Sequence, residues 1–171
     1  ELNAPDDLTF AEIERLSATM PPFREIWSSG GEPTLREEPP RILALFYLRN
    51  GVRSVNFPAN GLLPDKVART VESTLDACPD LRVNLNLALD GIGPTHDAIR
   101  GVPCNFDRAL ESLERLQAVR RREPRLRLHV NSVVCRANLA EMVPLGEMIR
   151  DRFDLDGHYF QIIRGEPMDP G

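Results

Sequence analysis

Two glycines, a glutamate and a proline, following a short apolar run, are the part of this sequence best suited to gripping a ligand. They stand in Ser28-Ser29-Gly30-Gly31-Glu32-Pro33. Gly30 and Gly31 permit positive φ and let the backbone approach a bound molecule closely. Glu32 sets a carboxylate beside them, and Pro33 fixes the chain behind it. A carboxylate and carbonyl oxygens converging on one turn suit a ligand's ammonium group. The same letters also describe a tight strand-to-helix turn with an exposed glutamate.

Other polar residues sit where predicted strands end. Asn60-Gly61, Asp90-Gly91 and Arg164-Gly165-Glu166 are such exits. Asp90 reads either as a polar group contacting ribose or substrate, or as an Asp-Gly turn satisfying its own backbone. Arg100 offers a fork of donors to a carboxylate, or a helix-end ion pair. Asn131 lies mid-strand, and a buried amide there must find partners, in a ligand or on a neighbouring strand. Gln161 poses the same question. His96 reads as a turn residue bonded to Asp97 or to backbone, and His129 as a satisfied strand histidine. Cys78, Cys104 and Cys135 show no metal-type spacing, and an odd number argues against a disulfide framework. No Gly-x-Ser-x-Gly, His-Glu-x-x-His, Gly-Lys-Ser/Thr or Gly-x-Gly-x-x-Gly is present, which removes the usual hydrolytic and dinucleotide sites.

The elements that must position these residues alternate. A capping box, Thr9-Phe10-Ala11-Glu12, opens a helix carrying Ile13, Leu16 and Met20. Strands are expected at 25–29, 54–57, 81–89, 126–134 and 159–163. Helices are expected near 40–49, from Pro64 to Cys78, around 106–116, and through Met142, Leu145, Ile149 and Phe153. Pro58 is expected to stop the second strand, and Pro144 to start or kink the last helix. Regular strand–helix alternation implies a parallel sheet. The pattern allows an open doubly wound sheet or a barrel. Asn56, Asn84, Asn86 and Asn131 as inward-facing polar residues favour a barrel, whose loops share one mouth. The expectation is therefore α/β: one domain over 1–171, a partial parallel (β/α) TIM-like barrel, cut at both ends.

These motifs, in this order, resemble the radical S-adenosylmethionine (radical SAM) superfamily. Gly30-Gly31-Glu32-Pro33 resembles its GGEP motif, which binds the amino group of the cofactor's methionine part. Asn60-Gly61 resembles its threonine–asparagine–glycine turn, with Ala59 where threonine is frequent. Ala88-Leu89-Asp90-Gly91, His96-Asp97-Ala98-Ile99-Arg100-Gly101 and Phe106-Asp107 resemble its "SLDG…HDxxRG…F" segment. Asn131-Ser132-Val133-Val134 and then Asn138 resemble its next strand and turn. The likeness is greatest to the peptide- and protein-modifying branch that often carries a SPASM-type C-terminal cluster domain.

The resemblance implies S-adenosylmethionine and a [4Fe–4S] cluster as cofactors. The cluster cleaves S-adenosylmethionine reductively, giving a 5′-deoxyadenosyl radical that takes hydrogen from an unknown, possibly peptide, substrate. It also implies an electron donor such as flavodoxin or ferredoxin. The cofactor-binding set it points to is Gly30, Gly31, Glu32, Pro33, Asn60, Asp90, Arg100, Asn131 and Ile162, with Ile162 or Ile163 against the adenine. Three departures stand out. CxxxCxxC is absent, so the cluster ligands are expected upstream of residue 1 and the chain alone is expected to be inactive. Ala88 replaces a serine, and Cys104 stands where glycine is common. Rival readings are a sugar-phosphate barrel aldolase or isomerase, weakened because Lys66 is the only lysine, and a non-catalytic peptide-binding barrel.

Composition, 42% hydrophobic and 27% charged, is that of an ordinary globular domain. Lys and Arg total 21 against 26 Asp and Glu, a net charge of −5, so no nucleic-acid or anionic-membrane surface is expected. The run Arg120-Arg121-Arg122 with Arg125 and Arg127 reads as a solvated face. No apolar stretch is long enough for a bilayer, and a reducing cytoplasm is the expected setting.

Overall fold

The computed structural model describes residues 7–29 and 31–162. Thr9 caps α1 (Phe10–Thr19) through the expected box: its hydroxyl accepts from the Glu12 N–H, and the Glu12 carboxylate accepts from the Thr9 N–H at 2.8 Å. The chain then runs β1 (Glu25–Trp27), a 3₁₀ turn (Pro33–Leu35), α2 (Pro39–Asn50), β2 (Ser54–Ala59), α3 (Pro64–Ala77) and β3 (Arg82–Ala88). It continues through α4 (Pro94–Arg100), α5 (Asn105–Arg120), β4 (Leu126–Val134), a second 3₁₀ turn (Leu139–Glu141), α6 (Met142–Arg152) and β5 (Gly157–Ile162). Pro144 falls in the first turn of α6, where its missing N–H costs nothing.

All five strands are parallel, in the order β1-β2-β3-β4-β5. That order decides between the two architectures. Right-handed crossovers that never reverse direction along the sheet put every connecting helix on one face. A doubly wound sheet needs a reversal, and none occurs. The sheet is thus an open sector of a β/α barrel. Its outer face is the core: Val55, Phe57, Val83, Leu85, Leu87, Leu128 and Val130 pack with Val67, Val71, Leu75, Leu113 and Leu116. Its inner face carries Asn56, Pro58, Asn84, Asn86, His129 and Asn131.

One expectation about local structure is corrected, and one element is added. Pro58 does not stop β2; it pairs with Asn86 inside the sheet. Asn56 turns its carbonyl toward β1, where it accepts the Ser28 N–H at 3.0 Å, so Pro58, two residues on, faces the same side. β1 has already ended there, and no partner is deprived of a donor. The added element is α4, a seven-residue helix in a stretch to which the sequence reading assigns no element, although a helix-end ion pair at Arg100 is one of its readings. It is too short for hydrophobic periodicity to reveal.

The basic run is a largely exposed face, as expected, and four of its five arginines also find partners. Arg120 pairs with Asp154 and Asp156, Arg122 with Glu72, and Arg127 with Asp156. Arg125 donates to the Leu75 and Cys78 carbonyls at 3.0 and 2.9 Å, capping the C-terminus of α3.

Candidate functional site

The strand exits of a barrel sector meet at one rim, and two carboxylates hold this rim together. Glu32 N-caps the Pro33–Leu35 turn: Oε1 accepts from the Thr34 N–H at 3.1 Å and from the Thr34 hydroxyl at 2.5 Å. Its other oxygen, Oε2, accepts the Asn60 N–H at 2.6 Å. Asn60 in turn closes its own turn, Oδ1 accepting the Leu62 N–H at 2.9 Å. A carboxylate offers about four lone-pair sites. Three are filled and the half-buried group is fixed in direction, leaving room for one further donor.

Asp90 does the same work between the next two strands. It is 2% exposed. Oδ1 accepts the Val133 N–H at 2.7 Å, and Oδ2 pairs with Arg100 Nη2 at 2.6 Å. Its N–H donates to His96 Nδ1 at 2.9 Å, and its carbonyl accepts from Asn138 Nδ2 at 2.6 Å. Neighbouring Asp97 caps α5, accepting the Cys104 and Phe106 N–H groups at 2.6 and 2.8 Å. Those backbone bonds, the Phe106 one foremost, hold its carboxyl below the ordinary 3.8. Each polar residue of the His96-Asp97…Arg100 segment therefore shapes the β3–α4–α5 junction.

Placement of the other expected residues is mixed. Gly30 lies outside the described residues. Gly31 is exposed, lacks positive φ, and would carry a Cβ without meeting anything within 4 Å, so the fold itself does not demand glycine there. Pro33 opens the 3₁₀ turn. Asn131 lies on the inner face, and its Oδ1 is buried without a partner among the described residues. Ile162 pairs with Val134 and, by alternation with Tyr159 and Gln161, falls on the outer face, away from Asn131.

Asn131 belongs to a groove of about 630 Å³ on the inner face, lined also by Trp27, Asn84, Asn86, His129 and Tyr159. Among the described residues, none that lines it carries a formal charge. His129 Nδ1 is a second buried atom there without a partner, against the expectation of a satisfied strand histidine. Burial pushes its pKa below the ordinary 6.5, with Asp156 opposing.

His96 meets backbone, as its sequence reading allowed, and sequence reasoning left Glu141 and Ser132 without a role. His96 is fully buried on α4, its ring edge-on to Phe106. Glu141 reaches across from the β4–α6 connection and accepts the Ile92 N–H at 2.8 Å and the Thr95 hydroxyl at 2.6 Å. Ser132 lies 2.8 Å from His158 Nε2, on the outer side. That pair is no nucleophile–base dyad. The single hydroxyl proton of Ser132 goes to the Leu89 carbonyl at 2.5 Å, so the imidazole must be the donor. The Asp90 partners His96, Arg100, Val133 and Asn138 all lie in the motif segments, whereas Glu141 carries no sequence signal.

The superfamily sequence model described as "Radical SAM superfamily" matches residues 2–154. The chain belongs to the radical SAM superfamily. Both rim carboxylates and the whole of the His96–Phe106 segment lie inside the match. The superfamily is one of enzymes that use S-adenosylmethionine and an iron–sulfur cluster. No curated protein matches the chain. Among solved structures, a mandelate racemase/muconate lactonizing enzyme from Roseiflexus sp. is similar over 90% of this chain and 52% of its own, at 12% identity and a TM-score of 0.31. The chain thus spans about half of that protein's length.

The two cofactors fit this radical SAM chain unequally. Asn131 Oδ1 and His129 Nδ1, buried in the groove without partners among the described residues, and the remaining acceptor site of Glu32 at the rim, are each open to a polar ligand. The cluster has no home among the described residues: Cys78 is buried, Cys104 exposed and Cys135 half-buried, and no three potential ligands converge. Burial raises the Cys78 thiol above its ordinary 9.0, against Arg125 and Arg53, making it the least apt of the three.

Proposed function

We propose that this chain is the S-adenosylmethionine-binding part of a radical SAM enzyme acting on a peptide, with its cluster thiolates supplied from outside these 171 residues. The observation that carries it is Glu32, a carboxylate tied to Thr34 and Asn60 yet keeping one acceptor site for an ammonium group. Gly31 has nothing within 4 Å of where a Cβ would stand, which leaves a ligand room to approach the backbone on that side. Asn131 offers a buried amide oxygen to the same ligand, and Asp90 with Arg100 holds the adjoining loop in place. Bound together, the cluster and S-adenosylmethionine supply one-electron cleavage of a carbon–sulfur bond and hydrogen-atom abstraction from substrate. The chain's own residues orient the cofactor.

The peptide substrate, a SPASM-type domain and a flavodoxin or ferredoxin donor belong to this reading through the motif resemblance. An uncharged groove that offers amide oxygens and aromatic rings is compatible with a peptide. Calorimetric titration with S-adenosylmethionine, comparing wild type with Glu32→Gln, tests the central claim. Loss of a charge-assisted hydrogen bond lowers affinity by about tenfold or more. Equal affinities remove Glu32 from the site. The chain alone, lacking a cluster, is expected not to cleave S-adenosylmethionine under reducing conditions.

A further inference from the structure

The β3–α4 loop is closed on itself by a histidine that can work in only one protonation state. His96 is fully buried, and Nδ1 accepts the Asp90 N–H at 2.9 Å. An accepting Nδ1 carries no proton, so the ring is the neutral Nε2–H tautomer. Nε2 itself has no partner among the described residues. A second proton would have to go on Nδ1, directly against the Asp90 N–H, turning an attraction between two groups into a repulsion.

We propose that His96 is a positioning residue that makes the β3–α4 segment of the rim proton-sensitive: neutral His96 holds Asp90 and the rim closed, and protonated His96 releases them. This rests on the reading of the rim as the ligand site only for its consequence, weaker ligand binding in acid. The groups facing His96 come from three elements. Asp90 stands at the β3 exit, Asp97 and Arg100 on α4, and the uncharged Phe106 ring on α5. Glu141, from the β4–α6 connection, is spent on Ile92 and Thr95. Burial first, then Arg100, disfavours the imidazolium; Asp90 and Asp97 oppose them, and the balance lies below the ordinary 6.5. The release is wired to the rest of the rim, because Asp90 also holds Val133, Arg100 and Asn138. Gly91 leaves no slack: a Cβ there would lie 2.9 Å from Thr95 Cγ2.

His96→Asn separates acceptor from titration, since an asparagine Oδ1 occupies nearly the place of histidine Nδ1 and does not ionise. Amide hydrogen exchange of the ligand-free chain, corrected for intrinsic rates, is compared near pH 7.5 and in steps down through the acid range in which the chain stays folded. Loss of one buried hydrogen bond predicts about tenfold less protection at Asp90 and its neighbours in wild type at the acid end of that range, and no change in His96→Asn. Parallel behaviour of the two proteins would overturn the proposal. So would a nitrogen spectrum of wild type showing His96 protonated on Nδ1 at neutral pH, a readout that survives if the variant fails to fold. No ligand is present in either measurement, so a failure of S-adenosylmethionine to bind would sink the earlier reading and leave this one standing.

Discussion

The Glu32 carboxylate accepts the backbone N–H of Asn60 at 2.6 Å, binding the exit of the first strand to the exit of the second across 28 residues of sequence. Asp90 repeats the arrangement with Val133 across 43. A negative group at a strand exit thus braces neighbouring exits, and in the function proposed above it also forms part of the rim offered to a ligand.

The brace at Glu32 gives its substitutions different signatures. Glu32→Ala loses the cap of the 3₁₀ turn and the Asn60 bond, a cost of about 1–2 kcal/mol in urea denaturation. Glu32→Gln keeps one oxygen acceptor and loses less stability, while still losing ligand affinity. A stability loss that is equal in both would mean that the charge, not the acceptor geometry, holds the turn.

Asp90 is the more expensive residue to remove. Asp90→Ala strands the Val133 N–H and leaves Arg100 without its partner. Breaking a buried pair costs about 3–5 kcal/mol, and Arg100, with a side chain 30% exposed, recovers some of that in water. The expected loss is about 2–3 kcal/mol, read from the denaturation midpoint at unchanged m-value. Arg100→Met leaves the buried Asp90 carboxylate without its counter-charge and with little access to water, and is expected to cost at least as much.

Two glycines with positive φ differ in their surroundings, and their alanine variants should differ accordingly. Gly61 has φ +73°, and a Cβ there would lie 2.8 Å from Ala109 Cα. Gly51 has φ +78°, with nothing within 4 Å. Gly51→Ala pays backbone strain alone, about 1 kcal/mol. Gly61→Ala adds a clash with the α5 backbone and is expected to exceed about 2 kcal/mol. Thermal unfolding of both, side by side, checks the ranking.

Cys104 holds a left-handed conformation at φ +60°, the only positive-φ residue other than glycine among those described. Its side chain is exposed and unpaired. Cys104→Gly relieves the Cβ strain and is expected to stabilise by about 0.5–1 kcal/mol, net of glycine's chain entropy. An unchanged or lower Tm would show that the left-handed turn costs the cysteine nothing.

Acid should weaken the fold through its histidines. Burial lowers His96, His129 and His158 below the ordinary 6.5. The unfolded chain therefore takes up these protons first, and stability falls as pH drops through and below 6.5, levelling off only beneath the folded values. Denaturation midpoints measured down this range should decline with a proton uptake that shrinks when His158→Gln is introduced.

The sequence alone determined what is local or periodic. Apolar alternation in Val83-Asn84-Leu85-Asn86-Leu87 sorts inner from outer face without reference to the rest of the chain. Thr9 and Glu12 mark a helix start from three residues apart, and Gly30-Gly31-Glu32-Pro33 marks the turn and the superfamily. Tertiary structure decided whatever depends on which strand lies beside which. The unreversed strand order chose a barrel sector over a doubly wound sheet. Pairing register put Asn131 on the groove and Ile162 on the opposite face. Glu32, Asp90 and His96 each meet a backbone amide, chemically alike along the chain, and folding alone selects which one each polar atom meets. A side chain's type announces the bonds it can make; only the packed chain says with whom.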